Sequence, residues 1–159
     1  MVIEEMIDPR WLSPEVVTML IDRFALRSPT LGALKWEYSD ILQGNRWGQY
    51  DIKTFTLKVS KLKTRGQFEQ QVKTILHEIR HWNQHASFVE QVMQAKPEET
   101  VEGANLLFMY KCNKFAKMSG YVNSPFEEDA RDFTEQTFSR AMNAVNKALY
   151  SDMIRGIAM

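Results

Sequence analysis

His77-Glu78-Ile79-Arg80-His81 places two imidazoles four residues apart with a carboxylate between them. On a helix, residues four apart lie one above the other on the same face. His77 and His81 can then share one zinc ion, and Glu78, one step round, can reach a water on that ion. The chemistry this arrangement could carry is that of a zinc ion and a water beside a carboxylate. The chain has three histidines, and the third, His85, follows the motif by four residues.

The motif needs a helix beneath it, and the pattern predicts one from about Gln67 to Val92. Val72, Ile75, Leu76, Ile79, Trp82, Ala86 and Val89 fall on one apolar arc, at about 100° per residue. His77, His81 and His85 form a row on the opposite side, so the helix is expected to pack by one face and offer its histidines on the other. His85 reads as a cleft-rim or solvent residue, because one zinc rarely takes three ligands from successive turns of one helix. A third ligand must come from elsewhere, leaving one position open to water. The candidates are Glu127, Glu128 and Asp129, in a helix that Ser124 caps and Pro125 opens. Ala130, Phe133, Thr134, Phe138, Ala141, Val145 and Leu149 form a broad apolar arc there. Glu127 projects near its middle, whereas Glu128 and Asp129 are turned about 100° and about 200° away. A carboxylate on a buried face is costly unless it is paired or binds metal. Glu127 is therefore the favoured third ligand, with Glu128 and Asp129 as alternatives.

Upstream, Ser13-Pro14-Glu15 opens a helix carrying Val16, Val17, Leu20, Ile21 and Phe24 on one face, ending near Arg27-Ser28-Pro29. Leu34 to Tyr38 alternates apolar and polar residues. Ile52 to Val59 has a period near two, with β-branched and aromatic residues, so two or three strands are expected between about 33 and 60. Pro97-Glu98-Glu99 reads as the start of a further helix that Gly120 stops, and the last helix is expected to reach about Tyr150. The predicted fold class is α+β and helix-rich: a small, mostly antiparallel sheet packed on the motif helix, followed by a helix carrying the third ligand.

The 159 residues suit one domain and a core that needs no staples. Lys+Arg and Asp+Glu are 20 each, which argues against a dedicated nucleic-acid binder. Cys112 is the only cysteine, so an internal disulfide and a Cys-rich metal site are both excluded. No apolar run is long enough to span a membrane, and the acidic N-terminus lacks the pattern of a signal peptide. A cytoplasmic protein is expected, and a virion protein would carry the same features.

Taken together, His77-Glu78-Ile79-Arg80-His81 and Ser124-Pro125-Phe126-Glu127-Glu128-Asp129-Ala130 resemble the minimal gluzincin type of zinc metallopeptidase. Small HExxH domains related to the ImmA/IrrE group, and similar bacterial and phage proteins, follow this pattern over what would be residues 33 to 140 here. The resemblance implies a zincin-like fold, one zinc per chain and a peptide or protein substrate. His77, His81 and Glu127 would be the ligands and Glu78 the general base. The Gly48-Gln49-Tyr50-Asp51 turn followed by Thr54, Phe55, Thr56 and Leu57 is similar to the edge strand along which a substrate pairs in such domains. Many gluzincins carry Asp or Asn four residues after the third ligand, where this chain has Arg131, so Asp129 or Asp132 would have to orient a ligand histidine instead. Tyr121, close before Glu127, is a candidate oxyanion stabiliser. Two other readings belong to different classes: a catalytically silent zincin-fold binding or structural module, regulatory or part of a phage particle, and a zinc hydrolase acting on a non-peptide. Intact Glu78 favours catalysis, because a purely structural site needs no base.

Overall fold

The computed structural model describes residues 10–158. Residues 1–9, and with them the reading of the N-terminus as lacking a signal peptide, lie outside the described residues. The elements are α1 (Pro14–Phe24), β1 (Lys35–Ser39), a 3-10 turn (Gln43–Asn45), β2 (Gly48–Asp51), β3 (Thr56–Ser60), the short α2 (Lys61–Thr64), and three long helices: α3 (Phe68–Ala95), α4 (Val101–Ser119) and α5 (Pro125–Ala158). The fold is helix-rich with one small sheet. No described helix is long and apolar enough to cross a membrane.

The helix starts follow capping chemistry. Ser13 Oγ accepts from the Val16 N–H at 3.3 Å, and Ser124 Oγ accepts from the Glu127 N–H at 3.3 Å, as Ser-Pro starts should. α4 begins later than Pro97-Glu98-Glu99 suggests. Its cap is Thr100, whose hydroxyl accepts from the Gly103 N–H at 2.9 Å, and Pro97 belongs to the turn before it. α5 continues past Tyr150 to Ala158.

The sheet is mixed, not mostly antiparallel. Its order is β1-β3-β2, with β3 antiparallel to β2 but parallel to β1. The chain leaves β1, crosses to the far edge to form β2, and returns through a tight turn so that β3 inserts between them. Ile52 to Phe55, expected as strand, is that turn. Phe55 adopts φ 55°, a conformation that costs a bulky residue energy. Its ring lies 6.4 Å from Trp82 and 5.9 Å from His85, so tertiary packing offsets the local strain.

α3 runs through the middle of the molecule. Val72, Ile75, Leu76, Ile79, Trp82, Ala86 and Val89 are all buried, together with Val17 and Leu20 of α1 and Leu57 and Val59 of β3. The expected apolar arc is thus the core. The opposite side of α3 is covered as well, by α4 and α5. Buried polar residues of α3 satisfy loop backbone: Gln71 accepts from Leu12 N–H and donates to Arg10 and Thr64 carbonyls, and Asn83 accepts from Leu26 N–H. Unmatched polar groups there would cost of order 1–3 kcal/mol each.

β2 meets α3 at Gly48, and glycine is required there for space. A Cβ at this position would collide with the Thr74 methyl and lie 3.1 Å from Glu78 Cγ and 3.3 Å from the Lys58 carbonyl oxygen. Gly48→Ala is expected to destabilise the fold by about 1–3 kcal/mol, the scale of overpacking. Adding Thr74→Ser, which removes the obstructing methyl, should recover part of the loss. Urea melts of the two variants test this, and an unchanged midpoint for the single variant would refute the close approach.

Candidate metal centre

α3 and α5 pack antiparallel, with Gln84 beside Phe126 and Asp129, Arg80 beside Asp129 and Phe133, and Lys73 beside Phe138. That alignment sets the first turn of α5 against the motif. Glu127 Oε2 lies 2.9 Å from His77 Nε2, and Oε1 lies 3.0 Å from His81 Nε2. The two imidazole centroids are 4.9 Å apart. His77, Glu78 and His81 can each offer one ligand atom such that all lie within 4.8 Å of one another. Glu78 and Glu127 are 6% and 7% exposed. Of the three candidate acids, only Glu127 meets both histidines. Glu128 is exposed, and both Asp129 oxygens are held by Arg80, at 2.8 and 3.2 Å.

Asp129 has a different position in the arrangement. Gln84 donates its amide nitrogen to Asp129 Oδ2 at 2.8 Å and to the Phe126 carbonyl at 2.9 Å. With the nitrogen so engaged, Gln84 Oε1 faces His81 Nδ1 at 2.8 Å and must accept from it. A neutral His81 then carries its proton on Nδ1 and turns the Nε2 lone pair to the centre. Arg80, Asp129 and Gln84 thus do the orienting that outer partners of metal-binding histidines do. Arg131 takes no part in it and donates to the Val122 carbonyl at 2.7 Å. Gln84, missed in the sequence, was signalled weakly by its place three residues after His81.

Three buried side-chain atoms lack a hydrogen-bond partner among the described residues, and two belong to the motif: His81 Nε2 and Glu78 Oε2. The 3.0 Å approach of Glu127 to His81 is not aligned as a hydrogen bond. Unpartnered buried polar atoms are costly and call for an explanation, and a cation among them supplies one. Two imidazole nitrogens and a carboxylate are also the donor set of three-ligand zinc sites. The residues present fit such an ion.

Charge and burial compete strongly here. Burial pushes the Glu78 carboxyl up, against the pull of His81 and His77. Burial alone would lower His81, but contact with Glu127 and the charge of Glu78 outweigh it and raise its pKa to about 9. Burial would raise Glu127, but the hydrogen bond with His77, the close approach of His81 and the charge of both histidines hold it well below the carboxylate range. In metal-free protein His81 therefore keeps a proton that a metal must displace. The favourable pairing of charged His81 is fully present below its unfolded value, about 6.5, and is lost as pH rises through about 9. Metal competes with that proton, so metal affinity should rise about tenfold per pH unit from 7 towards 9. Chelator competition at pH 7, 8 and 9 checks this, and a flat profile would show that His81 carries no such proton.

The other expected residues fall as follows. Tyr121 lines the same cleft, half exposed, beneath the Arg46 guanidinium at 5.0 Å. Burial, the charge of Glu127 and a hydrogen bond to it push the Tyr121 phenol up, so it stays protonated. His85 is not on a rim. It is fully buried, 2.7 Å from the Tyr50 hydroxyl and 2.6 Å from Asn105 Oδ1, and stacked on Phe108. Helix α4 covers that side of α3, and burial lowers the His85 pKa. Thr54 and Phe55 lie in the turn, and Thr56 and Leu57 lie in the central strand, paired with Lys35 and Trp36 on one side and Asp51 and Tyr50 on the other. Thr56 and Leu57 therefore have a strand on each side, and Thr54 and Phe55 lie outside any strand, so this segment offers a substrate no sheet edge. The free edge beside the motif belongs to β2, the segment expected as a turn. The cleft holds about 680 Å³ and is walled by Arg46-Trp47-Gly48, α3 from Gln70 to Glu78, and α5 from Glu127 to Phe138.

No protein-family model, curated protein or solved structure matches this chain.

Proposed function

We propose that the chain is a zinc-dependent peptidase of the gluzincin kind, with His77, His81 and Glu127 holding one zinc and Glu78 as general base. One observation carries this reading: Glu127, from a helix 50 positions along the chain, meets both motif imidazoles beside a buried Glu78. Bound zinc would supply a Lewis acid that acidifies water and polarises a carbonyl. The chain's own groups do the rest. Gln84 keeps His81 facing the centre. Glu78 Oε2, which has no hydrogen bond to give up, takes the proton of the attacking water. It delivers that proton to the amide nitrogen as the C–N bond breaks. Tyr121 stays protonated and is the candidate donor to the developing oxyanion. An extended peptide adds to the outer edge of β2, Gly48–Asp51, which takes over the role expected of Thr54 to Leu57. The lone Cys112, its thiol pushed up to about 11 by burial, suits a reducing cytoplasm.

The test is elemental analysis of protein purified without a histidine tag. Wild type should carry about one zinc per chain, and His77→Ala should carry none. No metal after zinc loading would sink the peptidase reading and leave a silent scaffold.

A further inference from the structure

Each wall of the cleft carries one cation close to a residue of the metal centre. On α3, Lys73 lies one turn before His77, about 6 Å along the axis. On α5, Arg131 lies one turn beyond Glu127. On the third wall, Arg46 immediately precedes Trp47 and Gly48.

The contacts of these cations orient them without neutralising them. The Arg46 guanidinium lies 5.0 Å from the Tyr121 ring centre, and Lys73 Nζ lies 4.9 Å from that of Phe138. Arg131 donates to the Val122 carbonyl. None of the three makes an ion pair with a carboxylate among the described residues. Outside the centre itself, Glu135 is the only acid on the cleft wall among the described residues. With a zinc ion bound, its two charges would offset Glu78 and Glu127, leaving Arg46, Lys73 and Arg131 against Glu135 around one concave surface, a local positive potential in a chain of zero formal net charge. Such a cleft concentrates anions. Guanidinium groups in particular bind carboxylates through paired N–H donors.

Resting on the peptidase reading, we infer that the cleft selects peptides bearing a carboxylate near the scissile bond, engaged by Arg46, Lys73 and Arg131. The carboxylate has two possible sources, the peptide C-terminus and an Asp or Glu side chain. Arg131, which departs from the usual gluzincin residue at its position, is then a specificity residue.

The test uses the zinc-loaded Glu78→Gln protein, so that bound peptide stays intact, and fluorescence anisotropy with labelled octapeptides. One peptide is uncharged and amidated. A second differs only in a free C-terminal carboxylate. A third set moves a single Glu through the amidated sequence. One carboxylate peptide should bind at least about tenfold tighter than the uncharged one, a scale set by one charge-assisted contact. Which peptide gains identifies the source. The advantage should shrink below about threefold in 0.5 M salt, and also when Lys73→Gln and Arg131→Gln are added, with zinc content unchanged. Equal binding of all peptides overturns the carboxylate proposal while leaving the peptidase reading standing. No binding of any peptide, together with no turnover by wild type, overturns both.

Discussion

Glu78→Gln is expected to lower peptide turnover by about 10²–10⁴-fold, the range that a positioned general base contributes, while zinc stays bound at one per chain. The amide has the shape of the carboxylate but cannot take a proton from water. Glu78 is 6% exposed, and its carboxyl is pushed up by burial. Losing that buried charge should leave thermal stability equal or higher. Stability, metal content and turnover should therefore separate in one variant. Single-turnover kinetics on zinc-loaded protein, with elemental analysis and a melting curve on the same sample, measure all three. Turnover retained within a few-fold would remove Glu78 as the base. A biological role that survives intact would favour the silent-module reading.

Removal of a ligand should act in the opposite order. His77→Ala and Glu127→Ala are expected to weaken zinc binding by more than about 100-fold, a loss that outer-shell substitutions alone can reach, and turnover should fall with it. The two variants should differ in the metal-free state. Glu127 supplies the contact and, after Glu78, part of the charge that raise His81 to about 9. In Glu127→Ala, only the Glu78 charge and the Gln84 contact still oppose burial at His81, and its pKa should fall. Residual zinc affinity in that variant should then vary less with pH between 7 and 9 than in wild type. Proton release per zinc, measured by calorimetry in two buffers of different ionisation enthalpy, reads this directly. Unchanged proton release would show that Glu127 does not govern His81, and unchanged zinc affinity would return the third-ligand position to another acid.

Much of this was legible in the chain because helical periodicity is a local property. The apolar arc from Val72 to Val89 became the core. Ser13 and Ser124 became caps because each hydroxyl is followed by an orphan N–H within reach. The choice of Glu127 over Glu128 and Asp129 followed from rotation about one helix axis, and the structure brings only Glu127 to both histidines. The expectation for His85 failed because periodicity reports which face of a helix is apolar, not whether the polar face is also covered. His85 is buried by Asn105 and Phe108 of α4, and nothing local to residue 85 encodes that neighbour.

By itself, the sequence determined the motif helix, the starts of the first helix and of the last, and the acid that turns towards the histidines. Each of these depends on residues within a few turns of one another. The tertiary structure alone decided the order β1-β3-β2 and with it the free edge at Gly48–Asp51, since strand pairing is set by which edges meet across the core. It also decided that Asp129 orients His81 through Gln84, and that Arg46, Lys73 and Arg131 line one cleft. Gln84 and Asp129 are far apart in the chain and meet through the antiparallel packing of α3 on α5, while Arg46 reaches the same cleft from the segment before β2.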